Sequence, residues 1–269
     1  MTAGSLTLTR PARRPVLGPV HDVLAVAGRN LNVIRRTPRL LLFSTIQPLV
    51  FLVLFRYVFA GVAAKSIPGI PYVDFLMPGI FVQVTVFGAM NTAIGLATDL
   101  QSGLLERFRS LPMSRVAVLA GRTLADLTRN VFVLALMTAV GVAVGFRTHA
   151  GAARFLGGLA LVLAFGFAMS WIFAVVGLAI GDPETAQAAG FLVMAPLVFA
   201  SSAFIPVATM PGWLQAFAAH QPVSYTASAV RALVLGGPTA TYIWQSLAWF
   251  AGIITVFAPL GAWRYYRAA

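Results

Sequence analysis

The sequence predicts an all-α integral membrane protein with six transmembrane helices, and three observations carry that expectation. Of 269 residues, 59% are hydrophobic and only 10% charged, with a mean hydropathy of +0.86, where a soluble domain carries about 25% charged residues. The apolar residues gather into six segments, each near the roughly 20 residues that cross the hydrocarbon core as a helix. The charges gather between them. Residues 99–129 alone hold five arginines (Arg107, Arg109, Arg115, Arg122, Arg129) and three acids (Asp99, Glu106, Asp126).

The residues before the first span fall into two parts. Residues 1–19 mix Ser, Thr, Arg and Pro with no apolar core, which argues against a cleavable signal peptide and predicts a disordered cytosolic tail. Across 20–39, Leu24, Ala27, Leu31 and Ile34 recur at helical spacing, while Asp22, Arg29, Asn32 and Arg36 fall largely on other faces. That is the pattern of a basic amphipathic helix lying at the headgroup level. The six-span domain occupies 40–269, with spans expected at 40–60, 73–98, 130–146, 155–181, 185–204 and 242–265. Only Gly181-Asp182-Pro183-Glu184 separates the fourth from the fifth, so these two form a tight hairpin.

Two stretches between the spans have a structure of their own. Within 99–129, Ser102-Gly103 is placed to open a short amphipathic helix through Leu104, Leu105, Glu106 and Phe108, and Pro112 ends it for want of an amide. A second helix follows Ser114 and sets Arg122, Asp126 and Arg129 at spacings of four and three, where opposite charges pair as structural ion pairs. At 205–235 the chain breaks at Ile205-Pro206 and again at Gln221-Pro222. The pieces are too short to cross. Trp213, Leu214, Phe217, Tyr225 and Leu233 nonetheless make them apolar enough to dip into the outer interface as re-entrant helices.

Charge sets the orientation and excludes other classes. Seven basic residues precede the first span, five lie in the central segment and two at the C-terminus, against Lys65, Arg147, Arg154 and Arg231 on the other side. Both termini are therefore expected in the cytoplasm of a multi-pass protein of the inner (plasma) membrane. The net charge of +12 serves this topology and not nucleic acid. With no cysteine and three scattered histidines (His21, His149, His220), neither a thiolate site nor a metal cluster is visible. Lys65, the only lysine, follows Ala64, so no Gly-x-x-x-x-Gly-Lys-Ser/Thr phosphate loop exists.

Two stretches resemble a known family, the membrane subunits of type-2 ATP-binding-cassette (ABC) exporters, and within it the daunorubicin/doxorubicin-resistance-like permeases of bacteria. One is Gly103 to Arg115, with Glu106, Arg107, Phe108, Arg109 and Pro112, followed by Gly121-Arg122 and Asp126. It is similar to the family's cytoplasmic coupling segment between spans 2 and 3. The other runs from Pro196 through Phe204, Pro206, Met210-Pro211-Gly212-Trp213, Pro222 and Arg231, and is similar to its fifth span and outer helices. Gln221 departs from the Asn common before this proline, a difference expected to matter little. The resemblance implies a half-transporter: two copies of this chain in the bilayer, docked on two cytosolic ABC ATPase subunits that hold ATP and Mg, with no cofactor in this chain. Read as residues alone, Glu106, Arg107 and Arg109 form a solvated, orientation-setting run; the resemblance implies a docking role for them and for Phe108.

Few charges lie within the spans, which is compatible with a hydrophobic or amphipathic substrate (a drug, natural product, lipid or lipid-linked glycan) and argues against a small multiply charged solute; export of a hydrophobic drug or natural product is what the resemblance implies. Gln47-Pro48, Gln83 and Asn91 are polar or kinking groups at lipid depth, suited equally to interhelical hydrogen bonds and to substrate. An ion-coupled secondary transporter is the alternative of another class, but it needs an ionisable group near the midplane. Asp74, Asp99, Asp182 and Glu184 fall at span ends, and Asp22, Glu106 and Asp126 in cytosolic segments. A membrane scaffold without transport is the third reading, distinguished by the absence of any flux.

Overall fold

The computed structural model describes residues 38–59, 61, 67, 69–103 and 115–267. Among these the chain is all helical, with eight α-helices: α1 (Pro38–Val53), α2 (Tyr72–Gln101), α3 (Arg115–Ala143), α4 (Ala152–Ile180), α5 (Pro183–Phe199), α6 (Gly212–Ala219), α7 (Pro222–Leu235) and α8 (Ala240–Arg267). The expected tail at 1–19, the interfacial helix up to residue 37, and Glu106, Arg107, Phe108 and Arg109 lie outside the described residues.

Among the described residues, four stretches are long and apolar enough to cross a membrane: Tyr72–Gln101, Asp126–Ala143, Ala152–Ile180 and Ala240–Tyr265. The other two apolar segments are shorter. α1 contains Pro48 and passes into a π-helical turn at Leu54–Val58. α5 begins on an Asp182 cap with Pro183 in its first turn and stops at Phe199, five residues before the expected end. Its 17 residues rise roughly 25 Å, short of the ~30 Å hydrocarbon core. Pro196, inside its last turn, supplies no amide to the carbonyl four residues back, and Pro206 lies just beyond the end.

The hub of the bundle is α2, with 20 of its 30 residues buried. In lipid there is no hydrophobic drive to bring helices together, so close packing of small residues has to do it. Here a Cβ on Gly177 of α4 would overlap the backbone of Ala93, and one on Gly79 of α2 would overlap the Ala203 carbonyl beyond α5. Phe81, Phe165 and Phe173 fill the space between these approaches, all fully buried.

Three further boundaries differ from the sequence expectation. Ser102 and Gly103 close α2 beyond its expected limit: Ser102 N–H donates to Thr98 O, Gly103 N–H to Leu100 O, and Gly103 takes φ +67°; the short helix expected through Leu104, Leu105, Glu106 and Phe108 lies outside the described residues. The helix expected after Ser114 and the third span are one continuous helix, α3, because nothing between Arg115 and Ala143 is a proline or a cap. That helix ends at Ala143, and Phe146 is buried in the turn beyond it.

Candidate functional site

Polar side chains meet at two places, one near each end of the bundle. Toward the α2 C-terminus, Thr92 donates its hydroxyl to Asp126 Oδ2 at 2.6 Å, joining α2 to α3. Arg129 Nη2 lies 3.6 Å from Asp126 Oδ1 and donates to the Gly88 carbonyl at 2.5 Å. The spacing of three in the sequence thus gives an ion pair that also fastens α3 to α2. The Arg122 side chain lies outside the described residues. Beside this pair is a cavity of about 280 Å³ whose polar lining is Gln47, Asn91, Arg129, Asn130 and Gln187, from α1, α2, α3 and α5. Phe87 and Met90 line both it and an adjoining hollow that continues to Glu184 and Phe191.

The polar residues singled out at lipid depth divide. Gln47 lines the cleft. Asn91 lines it too, while donating to Phe87 O of its own helix at 3.1 Å. Gln83 is 1% exposed, and neither its oxygen nor its nitrogen has a partner among the described residues.

The second place is the end of α5, where the chain leaves helical geometry and its carbonyls lose their intrahelical donors. Side chains replace them. Gln221 donates to Leu197 O and Ala200 O, each at 2.8 Å, and Tyr72 Oη donates to Phe204 O at 3.0 Å. Ser202 donates its amide to Ser224 Oγ and its hydroxyl to the Ser224 carbonyl, joining the break to α7. Arg231, buried in α7, donates from Nη2 to Ser202 O and to Ala203 O, the latter at 2.9 Å, from Nη1 to Ser202 Oγ at 3.3 Å, and from Nε to Phe75 O at 2.9 Å. Its guanidinium carbon sits 3.7 Å from the centre of the Phe75 ring.

At the same end, buried Asp74 accepts from the Arg147 amide and from His149 Nε2, both at 2.9 Å, and His149 N–H donates to Val234 O. The α3–α4 turn is thereby tied to both α2 and α7. Asp74 in the first turn of α2 and Asp126 well inside α3, two buried acids, thus both have partners of their own. No group of three or more potential metal ligands occurs among the described residues.

Sequence reasoning treated Arg231 as a charge on the outer side and Gln221 as a minor departure. The available signal was a lone arginine inside an apolar 14-residue helix with no acid three or four positions away, a cation that carbonyls have to satisfy. The broken end of α5 shows where those carbonyls are.

Fold and polar clusters together define a multi-pass helical membrane protein whose sequence carries no phosphate-binding loop. More specifically, the chain belongs to the ABC-2 type transporter family, whose model matches residues 21–235, a stretch that contains both the charged segment and the clamped end of α5. It is 36% identical over 258 residues to the daunorubicin resistance ABC transporter permease protein DrrB1 of Streptomyces coeruleorubidus, covering 96% of this chain and 89% of that one. It is 34% identical over 195 residues to the probable doxorubicin resistance ABC transporter permease protein DrrC of Mycobacterium tuberculosis, covering 72% and 70%. A putative transport permease, ycf38, of Pyropia yezoensis is 25% identical over 238 residues. The family expected from the two motif stretches is the family found.

Proposed function

We propose that this chain is the transmembrane permease subunit of an ATP-driven exporter, moving a hydrophobic or amphipathic substrate outward with energy from a separate cytosolic ATPase that binds ATP and Mg. The observation that carries the reading is the family match running through 21–235 in a chain with no phosphate loop. The relatives named for daunorubicin and doxorubicin resistance support an amphipathic drug or natural product as cargo. The cleft suits such a molecule: amides and Arg129 for a polar head, and Phe87, Met90 and Phe191 for an apolar body.

Six spans complete the membrane domain, with α1 and α5 as the two short ones and both termini in the cytoplasm, as the arginine distribution requires. Two copies of the chain pair, and each docks one ATPase subunit through Glu106, Arg107, Phe108 and Arg109. In this orientation the end bearing α6 and α7 faces outward. The buried acids favour this over ion coupling, because Asp74 and Asp126 are each engaged by partners of their own, the Arg147 amide and His149 for the first, Thr92 and Arg129 for the second.

Charge inversion in the docking segment tests the proposal. Leaving one member of a desolvated pair without its partner costs about 2–5 kcal/mol, and an exposed charge well under ~1 kcal/mol. Glu106→Arg and Arg109→Glu should therefore each abolish copurification of the ATPase and export while membrane insertion continues. Arg154→Glu, at an exposed position on the opposite end, should leave both intact. Two docking variants that hold the ATPase and export like wild type would return these residues to a merely solvated run.

A further inference from the structure

We propose that Arg231 is a positioning residue for export: its guanidinium clamps the broken end of α5 to the first turns of α2, and the clamp releases for substrate to leave. The inference rests on the exporter reading above and adds a residue and a movement to it.

The guanidinium holds three elements at once. It projects from α7, donates to Phe75 O of α2, and donates to the Ser202 and Ala203 carbonyls beyond α5. Its recorded contacts are carbonyls, one hydroxyl and an aromatic face, with no ion pair to a carboxylate among the described residues. A buried ion pair strands a charge when one member leaves, whereas carbonyl bonds can be exchanged for water one at a time.

The segment it holds is built to come away. Pro196 and Pro206 bracket it, and proline lacks the amide that would extend the backbone ladder. Five carbonyls, those of Leu197, Ala200, Ser202, Ala203 and Phe204, are bound by side chains from α2, α7 and the residue preceding α7. Stacked rings cover the break from the α1 side: Phe55 lies parallel to Phe204 at 4.4 Å, and Phe51 stacks on Phe204 at 6.2 Å. Parting such rings leaves no polar atom bare. The bare Gly79 lets the break seal against α2 backbone to backbone when the clamp is closed.

The chain has no cysteine, so single cysteines report accessibility without background. Ala203→Cys replaces a fully buried methyl beside the clamp, and Val162→Cys a fully buried side chain in the same half of α4. The protein is examined in cells or vesicles with its ATPase bound, using a membrane-impermeant maleimide applied from outside. Ala203→Cys should react slowly at rest and roughly tenfold faster during ATP turnover. It should react at the faster rate without ATP once Arg231→Met removes the donors. Val162→Cys should stay protected in every condition.

Three results would overturn the clamp. Ala203→Cys is as protected with Arg231→Met as without it; Val162→Cys becomes reactive together with it, which marks a general loosening of the fold; or export proceeds with no change in labelling. If the wild-type complex exports nothing, the exporter reading fails instead, and the resting comparison with Arg231→Met still decides the clamp.

Discussion

Arg231 and Asp182 show how single side chains finish helices that the backbone leaves open. Arg231 works just beyond a C-terminal end, where its guanidinium takes the Ser202 and Ala203 carbonyls of the chain that follows the last helical turn. Asp182 works at the N-terminal end of the same helix, where its Oδ2 accepts from Thr185 Oγ at 2.6 Å and from the Thr185 amide at 2.8 Å. The Thr185 hydroxyl first, and its amide second, hold the Asp182 carboxyl below the usual carboxylate range. With the folded value depressed, the cap is complete above the pKa of the unfolded chain and is lost as pH falls through the lower folded value. Hydrogen exchange at the Thr185 amide, corrected for its intrinsic rate, should therefore speed up on acidification. Asp182→Ala should give the fast rate at neutral pH and remove the acid dependence. Equal protection in the variant at neutral pH would mean that this carboxylate does not cap α5.

At the scale of elements, the close approach of α4 to α2 is what the glycine at 177 makes possible. Its missing Cβ would meet Ala93 backbone atoms, which no rotamer change moves aside. Overpacking costs about 1–3 kcal/mol, offset by the roughly 0.5–1 kcal/mol that alanine gains over glycine inside a helix. Gly177→Ala should thus cost about 1 kcal/mol and lower the thermal unfolding midpoint in detergent. Gly157→Ala, on the same helix with open space around it, should be neutral or slightly stabilising. Matching midpoints for the two variants would show that the α2–α4 seam yields more easily than its geometry implies.

Elements were also where the sequence was easiest and hardest to read. Long apolar runs announce helices by composition, so α2, α4 and α8 fall close to their expected limits. The end of α5 does not, because Ala200 to Phe204 is as apolar as the helix before it and hydropathy cannot register lost backbone bonds. Asp126 and Arg129 were legible as a pair through their spacing. The Thr92, Gly88 and Phe75 partners were not, since they lie 34, 41 and 156 positions away from the residues that bind them.

For the whole molecule, α2 as hub makes one rigid post on which α3, α4, α5 and α7 are hung, with polar links toward both ends and small-residue contacts between. Such a plan requires both termini on one side if all six apolar segments cross. Tags at either end should then be reached by protease or antibody only after the cytoplasmic side is opened. Protection of one tag with exposure of the other would mean an odd number of crossings.

In the exporter we propose, this chain supplies the passage and a partner supplies the energy. Flux of a fluorescent anthracycline in vesicles reconstituted with the chain, with and without the ATPase that copurifies with it, tests that division of labour. Transport should require both proteins together with ATP and Mg, and the chain alone should hydrolyse no ATP. Flux through the chain alone, driven by a proton or sodium gradient and indifferent to ATP, would contradict it.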